Sequence, residues 1–316
     1  MDVTLPTQFL PFSKVGEIEE RFEPTWLIES LWLKSAAGII GGQPKCCKSW
    51  LGLDMAVSVA SNTPCLGRFP VTEHGPALVF LAEDSVDDVR KRVASICRSR
   101  SLCINAVNLI VITAPTLRLD SEWDQKRLRA TIDRVSPKFL LLDPLVRLHR
   151  LDENNARDIA GLLGFLREIQ RKSGCAVVLT HHANKRVSSR PGQGLRGTSD
   201  LHAFGDSNLY LSRNEGDTLD LVIEHRSAKA PAPLRLQLTD SDYSTYLTIV
   251  DRDPTEPPSF NVEERILECL SKAPSPVQRD SLRQILRINN QRLGQAVSSL
   301  IASGKLLATP AGLRLA

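Results

Sequence analysis

No apolar stretch of this chain is long enough to span a bilayer without a charge or a turn residue, so a helical membrane protein is not expected. Its first residues, Met1-Asp2-Val3-Thr4-Leu5-Pro6, lack the basic start and apolar core of a secretory signal, and a cytoplasmic location is the expectation. The seven cysteines show no paired metal-ligand spacing, and any full set of disulfides would leave one over, which points to reduced thiols. No internal repeat marks a solenoid or a propeller. A large excess of one sign of charge is also lacking. Forty Lys and Arg against 36 Asp and Glu leave +4 over 316 residues, which permits a nucleic-acid partner without requiring one. What remains is an ordinary globular composition, with length for one large α/β domain and a small second one.

The most informative stretch is Gly41-Gly42-Gln43-Pro44-Lys45-Cys46-Cys47-Lys48-Ser49. It follows a short apolar run at 37–40 that reads as a strand and opens a run at 50–60 that reads as a helix. Strand, tight loop, Lys-Ser and helix is the arrangement of a P-loop. Backbone N–H groups of residues 42–50, through Trp50, face a phosphate there. Lys48 reaches the outer phosphates of ATP, and the Ser49 hydroxyl holds Mg²⁺. One position departs from the pattern: Cys47 stands where a glycine normally lets the backbone approach the phosphates. The competing reading is a plain strand-to-helix turn with a chance Lys-Ser pair.

Residues 1–36 carry Pro6, Pro11 and Pro24 with acidic residues between them, then apolar Trp26 to Leu33, and read as an arm that docks on the core. From residue 37 to 252, buried strands alternate with amphipathic helices. Strands are expected at 77–81, 108–112, 139–143 and 176–182, with helices at 85–98, 123–135 and 156–172 between them. Continuous apolar strands require a mostly parallel sheet covered on both faces. After Gly205 the pattern turns β-rich. Residues 253–259, Asp-Pro-Thr-Glu-Pro-Pro-Ser, form a linker. Beyond it, 260–316 hold three amphipathic helices and a hairpin with a Pro-Ala-Gly turn, the order of a winged helix-turn-helix.

Chemistry concentrates at strand ends. Asp143 leaves an apolar strand and suits a metal held through water, or else caps the next turn. Glu83 ends the strand after the P-loop helix and is the candidate base for an attacking water, or else half of a surface acid pair with Asp84. Asp84 itself reads as a helix cap shared with Ser85. His181 and His182 point to opposite faces of one strand, which makes them poor joint metal ligands. One of them is placed to sense a γ-phosphate; a plain core histidine is the other reading. The loop 184–198, with Lys185, Arg186, Arg190 and Arg196, suits a phosphodiester backbone as well as it suits solvent. Arg226, on a strand end far from the P-loop in sequence, has the character of an arginine finger for a neighbouring subunit. In the last helix, Asn290, Gln291, Arg292 and Gln295 are the right types for base edges and phosphates, against a reading in which that helix serves protein contacts only.

Taken together, Gly42 to Ser49, Leu81-Ala82-Glu83-Asp84-Ser85, Leu142-Asp143-Pro144-Leu145, Thr180-His181-His182-Ala183-Asn184-Lys185 and Leu195-Arg196-Gly197-Thr198-Ser199 resemble the RecA-like ATPases, specifically the RepA-type hexameric helicase branch of the bacterial AAA family ATPases. The resemblance covers roughly residues 25 to 250 and implies an α/β RecA-like P-loop core that binds ATP and Mg²⁺. It assigns nucleotide and metal to Lys48 and Ser49, the catalytic glutamate to Glu83, the Walker B aspartate to Asp143, the sensor to His181 or His182, and the trans-acting cation to Arg226, with Lys229 a weaker match. It further implies a homo-hexameric ring threaded by single-stranded DNA, plasmid or mobile-element replication, and a replication partner for the C-terminal domain. The alternative is a nucleotide-gated DNA-binding regulator or loader with little turnover, which Cys47 motivates. No membrane partner is expected.

Overall fold

Hydrophobic runs without alternation must be buried on both sides, and here they form the centre of one sheet. The computed structural model describes residues 12–18, 23–153, 155–182, 199–213, 217–241, 243–250, 262–271, 273, 275–286 and 290–315. In chain order the first part runs β1 (Trp26–Ile28), β2 (Trp32–Leu33), β3 (Ala37–Gly42), α1 (Lys48–Ser61), β4 (Ala77–Leu81), α2 (Val86–Ser99), β5 (Leu109–Val111), α3 (Glu122–Val135), β6 (Phe139–Asp143), α4 (Ala156–Ser173), β7 (Ala176–His182), α5 (Ser199–Phe204), β8 (Ser207–Arg213), β9 (Thr218–His225), β10 (Leu234–Asp240) and β11 (Thr245–Val250). The main sheet has the order β11-β10-β9-β8-β3-β7-β6-β4-β5. Strands β8, β3, β7, β6, β4 and β5 are mutually parallel, whereas β9 runs antiparallel to both β8 and β10. The sheet is therefore mixed and largely parallel.

Strand alternation sorts side chains into two layers. Phe139 and Leu141 of β6 and Ala176 and Val178 of β7 join the layer packed under α1 and α2. Their neighbours Leu140, Leu142, Val177 and Leu179 join the layer under α3, α4 and α5. Glycine is required where β3 is squeezed. A Cβ on Gly38 would lie 1.7 Å from the Ser207 carbonyl oxygen, and one on Gly42 would lie 2.5 Å from that of Leu211.

Within the N-terminal segment β1 pairs with β2, and Leu27, Ile28, Leu31 and Trp32 are fully buried in the α1 layer. A tryptophan that large fills core volume. Helix α1 begins earlier than expected, at Lys48, because the lysine backbone already enters the helix. Residues 1–11, 19–22, the loop 183–198 and the linker 253–259 lie outside the described residues.

The chain divides into Met1–Ile249 and Val250–Ala316. The second unit holds α6 (Val262–Ser271), α7 (Arg279–Leu286), α8 (Asn290–Ala302) and the hairpin β12 (Leu306–Thr309) with β13 (Gly312–Leu315). Ile266, Leu282, Leu293, Val297, Leu306 and Leu313 give it a core of its own, and Val277 bridges to Leu313. Among the described residues, no helix is long and apolar enough to cross a membrane.

Glu73 ties the end of β2 to the start of β6. Its carboxylate accepts from Lys138 at 2.5 Å and pairs with Lys34 at 2.7 Å. The Lys138 and Lys34 bonds hold its pKa below the ordinary value. A depressed folded-state pKa stabilises above the unfolded value and loses that contribution as pH falls through the folded one. Glu73→Gln is expected to cost on the order of 1 kcal/mol at neutral pH, discounted for the partial exposure of the pair. Urea unfolding of both proteins from neutral pH downward should show the gap closing below about pH 4.5; a gap that widens on acidification would refute the assignment.

Candidate active site

The turn from β3 into α1 is built from its own backbone. The Lys48 ammonium is almost fully buried and donates to the carbonyls of Gly42 at 3.1 Å and Gln43 at 2.8 Å. The Cys46 thiol donates to the Gln43 carbonyl at 2.8 Å, and burial pushes its pKa up. Cys47 caps the helix with φ 62° and ψ 25°, and Lys45 is also left-handed with φ 64°. Such a backbone costs an L-residue roughly 1–2 kcal/mol, which explains why the P-loop pattern prefers glycine where Cys47 stands. The Cys47 thiol is raised as well by burial, against the nearby cations Arg213, Lys48 and Arg92.

Lys45 to Trp50 form one wall of a cleft of about 260 Å³ at the carboxyl edge of the parallel strands. Glu83, Arg92, Asp143, Pro144 and His182 form the other. The strand parity explains this gathering: Asp143, Thr180 and His182 share the α1 face with Phe139, Leu141, Ala176 and Val178. Asp143 is buried and accepts a short hydrogen bond from the Thr180 hydroxyl. Burial raises its pKa, and the nearby Thr180 and Ser49 hydroxyls offset that only in part. Asp143 is thus engaged by the Thr180 side chain and does not cap the following turn, where Pro144 occupies the cap position.

A divalent cation of the Mg²⁺ type asks for hard oxygen ligands, few of them from protein, with phosphate and water completing the shell. The Ser49 hydroxyl and the Asp143 carboxylate, which line the same cleft, are such a pair. Among the described residues, no group of three His, Cys, Asp or Glu could hold a metal by itself. The donor set therefore fits an ion brought in with a phosphate.

Glu83 reaches the same cleft, where its Oε1 accepts from Arg147 Nε at 2.7 Å. Asp84 departs from its expected capping role. Ser85 alone caps α2, accepting from the Asp88 N–H at 3.1 Å, while Asp84 makes a two-bond pair with Arg92 at 2.7 and 2.9 Å. Arg92 also lies over the Trp50 ring, 5.7 Å from its centroid. The two histidines separate as strand alternation requires. His182 lines the cleft. His181 faces the other layer, with Nδ1 3.7 Å from the same Glu153 oxygen that lies 3.6 Å from His149 Nε2.

Arg226 is not in this cleft. It follows β9, whose Thr218 end lies by the P-loop edge and whose His225 end pairs with Ser207 at the opposite edge. There it pairs with Asp206 at 3.4 Å and donates to the Ala203 carbonyl. Lys185, Arg186, Arg190 and Arg196 lie outside the described residues. Asn290, Gln291, Arg292 and Gln295 belong to α8, and their side chains lie outside the description too. Sequence reasoning passed over Arg92, which lines the cleft, and Arg147 and Arg213, which reach it through Glu83 and Lys45; their helix and strand positions gave no sign of it. It also passed over the part of Thr180 in bonding Asp143, although its place two residues before His182 on an apolar strand carried a period-two signal.

The family model for the AAA domain (AAA_25) matches residues 5–188. Among solved structures, the chain is similar to an ATPase domain of another protein, at 15% identity and a TM-score of 0.51 over 67% of this chain and 85% of that one. It is also similar to a KaiC-like protein, PH0186, from the hyperthermophilic archaeon Pyrococcus horikoshii OT3, at 15% identity and a TM-score of 0.51 over 71% and 94%. Likenesses at that identity speak for the fold, an α/β RecA-like core.

The left-handed cap makes a direct expectation. Cys47→Gly should leave stability within about 1 kcal/mol, because relief of backbone strain is offset by greater freedom of the unfolded chain. Cys47→Val, with a branched Cβ in the same conformation, should cost roughly 1–3 kcal/mol. Urea unfolding ranks them, and a valine variant as stable as the glycine one would contradict the loop geometry.

Proposed function

The chain belongs to the AAA domain family of P-loop ATPases, and from that premise we propose that it is a Mg²⁺-dependent ATPase that assembles as a ring and acts on DNA, in the manner of RepA-type replication helicases. The observation that carries the nucleotide reading is the convergence of Lys48, Ser49, Glu83, Asp143 and His182 on one polar cleft. Lys48 would exchange its bonds to the Gly42 and Gln43 carbonyls for the outer phosphates of ATP, while loop N–H groups and the α1 N-terminus hold the rest. Mg²⁺, held by Ser49 and through Asp143, would neutralise charge on the β- and γ-phosphates. Glu83 would orient a water toward the γ-phosphorus and accept its proton as the bond to ADP breaks. His182, rather than His181, is on the side from which a γ-phosphate can be sensed.

Arg226 supports the ring only indirectly. At the far edge of the sheet it cannot serve its own cleft, so a role as arginine finger requires a neighbouring subunit. The order of elements in the second unit suits a winged helix-turn-helix. Its α8 would then present Asn290, Gln291, Arg292 and Gln295 to DNA or to a replication partner. The basic loop 184–198 would face single-stranded DNA. A cytoplasmic setting in plasmid or mobile-element replication completes this reading.

One observation favours a second reading, a nucleotide-gated DNA-binding regulator or loader with little turnover. Cys47 occupies a left-handed position at the loop's helix end, where its side chain limits how closely the backbone can approach an anion.

Steady-state ATP hydrolysis with Mg²⁺, with and without single-stranded DNA, separates the two. Wild type should turn over ATP faster with DNA, and Lys48→Ala should lose binding and turnover together. Glu83→Gln should lower turnover about 10²–10⁴-fold while still binding ATP. ATP binding without turnover in wild type would discard the motor and leave the regulator.

A further inference from the structure

Arg213 closes β8, the strand that pairs in parallel with β3 through Leu211 and Gly42. Its last residue consequently arrives beside the apex of the phosphate loop, although 164 positions separate it from Ser49 (213 − 49). The guanidinium donates to the Lys45 carbonyl at 2.8 Å. It is close enough for its charge to be felt at both Cys46 and Cys47. Asp217, 3.9 Å away and 94% exposed, offsets that charge little.

A neutral donor would be enough to hold one carbonyl. Arginine brings five N–H groups and a permanent positive charge, so most of its bonding capacity remains after Lys45 is served. The place is also the one where the loop is least suited to an anion, since Cys47 carries a side chain where the pattern has none. We propose that Arg213, which borders this cleft through its bond to the lining residue Lys45, is a phosphate-binding residue contributed within the subunit from the end of β8, whose charge offsets the poorer backbone cradle at Cys47. The proposal rests on the reading of the cleft as a nucleotide site. It makes the site a two-cation cradle, Lys48 from below and Arg213 from the rim, selective for polyphosphate over the bare nucleoside. The bond to Lys45 keeps the guanidinium in place before nucleotide arrives.

Calorimetric titration of the full chain with ATP, ADP and adenosine tests it, using Arg213→Lys, Arg213→Gln and Arg213→Ala. Glutamine keeps an N–H donor for the Lys45 carbonyl but carries no charge, so it separates charge from loop support. The expected result is an ATP Kd about tenfold weaker for both the glutamine and alanine variants, near that of wild type for the lysine variant, and no change for adenosine. Arg213 ends a strand with its side chain 43% exposed, so the variants are expected to fold, and thermal unfolding checks this. An Arg213→Gln protein that binds ATP like wild type overturns the proposal, whatever alanine does, because the arginine then only props the loop. Lys48→Ala serves as the reference: if it too binds ATP unchanged, the nucleotide reading fails and the proposal falls with it.

Discussion

A lysine ammonium taken out of water must find partners or lose its charge, and at Lys48 the partners are the carbonyls of Gly42 and Gln43. That requirement shapes the turn from β3 to α1. It folds the loop back on its own side chain, brings Cys46 onto the Gln43 carbonyl, and leaves Lys45 and Cys47 in left-handed backbone. The strand that leads into the turn is itself tightly packed: Gly38 and Gly42 have no room for a Cβ against the Ser207 and Leu211 carbonyls of β8. A ligand anion here would compete with carbonyl oxygens for one buried cation. The site is therefore held ready at modest cost, because the same donors serve with and without it.

Around this turn, period-two alternation does the sorting. One face of β6 and β7 sends Asp143, Thr180 and His182 toward α1, and the other sends His181 toward Glu153 and His149. Two adjacent histidines thus belong to two environments: one lines a polar cleft, the other sits in a buried cluster beneath α4. Thr180 bonds the buried Asp143 carboxylate and helps keep an expensive group satisfied.

Glu83 and Arg92, which line the cleft, each have an oppositely charged partner. Asp84 is matched to Arg92 and Glu83 to Arg147, so the cations nearest the acids are already engaged. Lys48 is held instead by the Gly42 and Gln43 carbonyls, which stabilise a cation without cancelling its charge, and Arg213 by the Lys45 carbonyl with the exposed Asp217 beside it.

Much of the fold was legible in the chain because its signals are local. Apolar runs without alternation mark strands buried on both faces, and the Gly-to-Lys-Ser loop between strand and helix marks the phosphate turn. The same logic placed Lys48, Ser49, Glu83 and Asp143 at one sheet edge, since each ends or follows a strand in a parallel array. What escaped were contacts between strands and segments remote in sequence. Trp32 reads as part of an arm that docks on the core, and only the assembled sheet shows that it is fully buried. Asp84 reads like a cap until Arg92, eight residues on, folds back to it. Arg213 and Lys45 have no local relation, and only the pairing of β8 with β3 brings them together. The amino-acid order by itself determined the elements and the chemistry available at their ends, because both depend on a few neighbouring residues. Which ends meet, and which charges are left unpaired there, was decided only by strand order, because a sheet joins residues by hydrogen-bond register and not by their distance along the chain.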